Sequence, residues 1–79
     1  LQLLDRVNDL RGYFGLSSVT LPGTVGHFRD WLPQMQALQG GLGACYTAAG
    51  RTPPAWIAPG RNYPRADVVN QLRAALAAG

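Results

Sequence analysis

The chain has 79 residues, with seven arginines and no lysine, four aspartates and no glutamate, one histidine and one cysteine. That is room for one small domain and not for two, a lone cysteine closes no internal disulfide, and one His, one Cys and four scattered Asp do not make a structural zinc site. Cores of this size usually lean on a staple, and the staple left over is a partner, either further copies of the chain or another protein.

Apolar residues make up 47% of the chain, which is ordinary, but charged residues only 14%, against about 25% for a typical globular domain. A low charge density implies that part of the surface faces something other than water. No apolar run approaches the roughly 18 residues of a membrane span. The first residue is Leu1, so the expectation is one small helical domain over 1–79, or a fragment or processed piece of a larger chain, with no leader pattern visible. The single Cys45 points to a reducing compartment or to a place within a large particle. The charge is uneven. Residues 1–50 carry three Arg and three Asp, while residues 51–79 carry Arg51, Arg61, Arg65 and Arg73 against Asp67, so the last third holds the whole net +3.

In chain order, Leu3, Val7, Leu10 and Phe14 follow a four-three-four spacing that predicts a helix over about 2–13, ended near Gly12 and Gly15. Asp5 and Asp9, one turn apart and flanked by Arg6 and Arg11, read as a solvated charged face. Residues 15–26 read as a connector, with a turn at Leu21-Pro22-Gly23-Thr24. Ser17 to Leu21 has strand propensity but no second strand to pair with, so it reads as extended loop. His27, the only imidazole, has no partner in sequence beyond Asp30 and reads as structural or solvated.

Phe28, Trp31, Met35, Leu38, Leu42, Cys45 and Ala49 alternate three and four apart, a coiled-coil-like seam. Pro33 is tolerated if Asp30 is the N-cap, because the proline then falls in the first turn. This predicts a short helical turn at about 24–29 and a main helix over about 31–49. Gly40, Gly41 and Gly43 either break that helix or admit another backbone, and a continuous or bent helix is the favoured reading. Gly40-Gly41-Leu42-Gly43 lacks the preceding strand and the Lys of a phosphate loop. Cys45 on the seam reads as core filler, since burial disfavours the thiolate.

Residues 50–64, with Gly50, Pro53, Pro54, Pro59, Gly60 and Pro64, read as a polyproline-like arm. It carries Trp56, Ile57 and Tyr63, so it packs over its own helices or into a neighbour. Trp31 reads as core, whereas Trp56 suits core and partner contact equally. Val68, Val69, Leu72, Ala75 and Leu76 predict a last helix over about 65–78, begun after Pro64.

The run Gly50-Arg51-Thr52-Pro53-Pro54, then Ile57, Gly60-Arg61, Arg65 and Asp67-Val68, ending in Leu72, resembles the wing and following helix of excisionase-like or MerR-like winged helix-turn-helix domains. It covers under a third of the chain. The resemblance implies that Arg61 and Arg65 contact DNA phosphates. Asn70-Gln71 stand where that family has a tryptophan near the end of the closing helix.

The sequence therefore predicts an all-α, three-helix domain whose outer helices flank the central one, with an apolar Pro/Gly-rich arm between the second and third. The expected function is that of a non-enzymatic structural or accessory subunit, held in a larger complex or by self-association. Arg51, Trp56, Ile57, Arg61, Tyr63, Arg65 and Arg73 form the expected partner-binding set. The alternative is nucleic-acid binding through the Arg-rich last third, with salt-dependent affinity. No catalytic set, metal, cofactor or small-molecule substrate is indicated.

Overall fold

The computed structural model describes residues 2–24, 28–60 and 65–78. Its regular structure is three α-helices, α1 (Gln2–Tyr13), α2 (Trp31–Ala48) and α3 (Arg65–Ala78), with a 3-10 turn at Phe28–Asp30 before α2. No strand occurs among the described residues. The all-α, three-helix expectation holds, and each helix boundary falls within a residue of the one that periodicity predicts. The short turn expected over 24–29 is the 3-10 turn, shifted toward α2, while residues 25–27, including His27, lie outside the described residues.

The core is built mostly from the predicted stripes, with Tyr46 joining the seam of α2 and Ala49 at its end left exposed. Leu3 and Val7 of α1, Met35, Leu38, Leu42, Cys45 and Tyr46 of α2, and Val68, Leu72 and Ala75 of α3 form one buried cluster. Val7, Leu38, Leu42, Val68 and Leu72 are wholly buried, each contributing about 1.5–3 kcal/mol of apolar transfer. All three helix pairs touch, so α1 and α3 meet each other as well as α2.

The helices run in the same sense. Val7 lies beside Gly41, and one to two turns on, Leu10 and Phe14 lie beside Cys45 and Ala49. The Arg65 guanidinium sits over the Trp31 ring at the start of both α2 and α3, and the Tyr46 hydroxyl donates to the Ala75 carbonyl (2.7 Å) near the end of both. Each connector must therefore return the length of the bundle.

Both turns out of the helices are closed alike. Gly15 and Gly50 adopt φ of +73°, and the next N–H reaches back to the carbonyl five residues earlier, Leu16 to Arg11 (2.8 Å) and Arg51 to Tyr46 (2.9 Å). This is the glycine-dependent closure that satisfies a helix's last carbonyls. At the start of α2, Asp30 occupies the N-cap position and Pro33 falls in the first turn, as predicted. The Asp30 carboxylate, however, accepts from the Thr24 N–H (2.9 Å) and makes no bond to the helix. Its backbone is already helical (φ −95°, ψ −6°), whereas a capping side chain needs the extended region.

α2 runs unbroken through Gly40, Gly41 and Gly43. At Gly41 the close approach comes from a side chain: a Cβ there would stand 2.6 Å from Val19 Cγ2. Arg11 donates to the Gly41 carbonyl (2.9 Å) and to the Ser17 carbonyl (2.6 Å), tying α1, the first connector and α2 together.

Uncharged amides pin both connectors. The Asn8 carboxamide accepts from the Val19 N–H (2.7 Å) and donates to the Val19 carbonyl (3.1 Å), giving this strand-prone residue the two bonds a neighbouring strand would have supplied. Gln71 of α3 treats the arm likewise, accepting from the Ile57 N–H (2.7 Å) and donating to the Ala55 carbonyl (2.8 Å). The buried Gln39 donates to the Ile57 carbonyl (2.7 Å), and the buried Gln34 to the Pro22 carbonyl (3.1 Å). The apolar arm thus packs over its own helices.

Candidate protein-contact site

On α1 the buried stripe of Leu3 and Val7 leaves one flank to solvent. Gln2, Arg6, Asp9 and Tyr13 recur there at helical spacing, and all four are exposed. Tyr13 is 82% exposed, the most exposed large hydrophobic side chain among the described residues, although its ring meets the Phe14 ring edge-on at 5.1 Å. Arg6, Asp9, Leu10 and Tyr13 line an open groove of about 370 Å³ against Leu76 of α3. Leu10 and Leu76 are half-buried and form its apolar floor. Arg73, exposed and three residues before Leu76, lies on the same flank of α3. The result is an aromatic ring and two leucines between charges of both signs.

Leu10 also borders a narrow cleft with Phe14, Cys45, Tyr46, Ala49 and Arg51, of about 10 Å³, room for about one water. Cys45 closes its floor with 1% exposure, and its thiol donates to the Gly41 carbonyl (3.6 Å). Burial pushes this thiol above its ordinary value of 9.0, against a smaller downward pull from Arg11. It stays a neutral core side chain, as the seam predicted.

The expected partner-binding residues fall in several places. Arg51 stacks on the Tyr46 ring (4.8 Å) and donates to the Ala78 carbonyl (2.9 Å), a cation at the C-terminal end of α3. Trp56 is half-buried, its indole nitrogen 3.5 Å from where a Cβ on Gly43 would stand, and Ile57 is half-buried and held by Gln39 and Gln71. Arg65 lies over Trp31 (4.7 Å), at the opposite end of α3 from Arg51. Arg61 and Tyr63 lie outside the described residues. Of the described arginines of the last third, Arg65 and Arg73 lie on α3 and Arg51 against its far end, so they are spread over about 20 Å rather than gathered in one patch. The arm carries no strand over 51–60, so the wing that the winged-helix resemblance implies is not formed there.

No family model, characterised protein sequence or solved structure matches the chain. Among the described residues no three metal-ligating side chains come together, and no helix is long and apolar enough to cross a membrane. The groove was missed by sequence reasoning, which took Tyr13 only as the end of a helix. The signal was present in the second period of α1, at positions 2, 6, 9 and 13, beside the core stripe at 3, 7, 10 and 14.

Proposed function

We propose that the chain is a small non-enzymatic subunit that works by protein–protein contact, docking through the groove between α1 and α3. The observation that carries this is Tyr13, an aromatic ring left 82% exposed at the rim of an apolar floor. Tyrosine and arginine, with tryptophan, are enriched among interface anchors, because each covers a large area and carries a polar group. Arg6 lines the same groove. The low charge content fits a chain with part of its surface covered in use.

The native mass of the particle that holds the chain tests this reading. The expected mass exceeds the 8.4 kDa of one copy and falls toward that value with Tyr13→Ala. Tyr13 is exposed and alanine favours helix, so that variant keeps its helical circular dichroism. A wild-type chain that runs as a monomer in every state overturns the reading.

A further inference from the structure

We infer that the partner at this groove is a second copy of the chain, paired antiparallel along α1. The inference rests on the protein-contact reading and deepens it. Gln2, Arg6, Asp9 and Tyr13 are spaced four, three and four apart, so the stripe is symmetric about the point midway between Arg6 and Asp9. A two-fold contact requires that residue i meet j while j meets i. Two such stripes laid antiparallel set Arg6 against the partner copy's Asp9, and the reverse, and set each Tyr13 against the other copy's Gln2. The charges then pair twice, and the tyrosine hydroxyl meets a carboxamide oxygen that can accept its hydrogen bond. A parallel pairing would set arginine on arginine and aspartate on aspartate. A foreign partner of one sign would leave either Arg6 or Asp9 facing its own charge.

The stripe spans about 16 Å of helix. A contact of that length, widened by Leu10 and Leu76, lies at the small end of specific interfaces, so the dimer is sought at micromolar concentration and above.

The test is sedimentation of the purified full chain across micromolar to near-millimolar concentration. Wild type is expected to pass from monomer to dimer. Arg6→Asp makes the stripe wholly acidic and Asp9→Arg makes it wholly basic, and each is expected to weaken self-association about tenfold or more. Mixing those two variants restores a one-to-one dimer, because an acidic stripe then meets a basic one. The double variant Arg6→Asp/Asp9→Arg in a single chain restores self-pairing as well, which keeps the test open if one single variant fails to fold. Recovery in neither the mixture nor the double variant overturns the inference, as does a wild-type chain that stays monomeric throughout. If that monomeric chain still sits in a larger native particle that Tyr13→Ala disrupts, the second copy is excluded and the protein-contact reading stands. If Tyr13→Ala leaves the native mass unchanged, the groove is not the contact and both fall.

Discussion

The first connector, between α1 and α2, and the arm, between α2 and α3, both run back along the bundle, and both are held by a carboxamide that bonds backbone on two sides. They differ in how they meet the glycines of α2. Val19 of the first connector presses onto Gly41 so closely that no Cβ fits, whereas Trp56 of the arm rests against Gly43 at ordinary contact distance. Asn8 holds its segment where both bonds are partly buried, while one of the two Gln71 bonds is exposed. One connector is locked into the helix pair beneath it. The other is a layer laid on top.

The sharpest way to break this contrast is Gly41→Ala. Overpacking against Val19 costs about 1–3 kcal/mol, partly offset by about 1 kcal/mol of added helix propensity. A net loss is expected as a lower melting temperature, with recovery in Gly41→Ala/Val19→Ala. If the single variant is as stable as wild type, the close approach at Gly41 is not a constraint. Next come the two carboxamides. Asn8→Ala and Gln71→Ala each remove two bonds worth about 0.5–1.5 kcal/mol apiece, and the more buried Asn8 is expected to cost more. Denaturant titration gives the size, and faster amide exchange at Val19 in one variant and Ile57 in the other shows which connector is released. The smallest effects belong to the open glycines. Gly40→Ala meets nothing within 4 Å and is expected to stabilise by about 1 kcal/mol through propensity alone. Gly43→Ala is expected to gain about as much, since the new methyl group meets Trp56 at 3.5 Å, an ordinary contact distance. A large loss at Gly43 would mean that the arm is locked as tightly as the first connector.

Much of the fold was legible because it rests on periodicity. Leu3, Val7, Leu38, Leu42, Val68 and Leu72 repeat at helical intervals, and Gly15 and Gly50 punctuate the ends. Tertiary contacts between distant segments were not. Nothing near Asn8 indicates that its amide will serve Val19, eleven residues on, and nothing near Gln71 points to Ile57. Asp30 was correctly placed at the head of α2, but its carboxylate turned back to Thr24, because the backbone at Asp30 is already helical and aims the side chain away from the first free amides. At the candidate site, the low charge content that motivates the partner proposal was readable. The groove itself was not, because it joins Leu10 and Tyr13 of α1 to Leu76 of α3, which lie far apart in sequence. The structure sets Trp56 against Gly43 and leaves Tyr13 in solvent.

Helices that all point one way have a consequence for how the chain reaches this state. Two neighbouring antiparallel helices can zip from a tight turn, each new contact lying next to the last. Here no such hairpin exists. α1 meets α2 only after 17 residues have doubled back, and closing a loop that long is an entropic cost met before any packing rewards it. Chains whose contacts lie far apart in sequence fold more slowly than those built from local ones. Among small helical domains this one should therefore be a slow folder, with its rate limited by docking the first connector rather than by forming any helix.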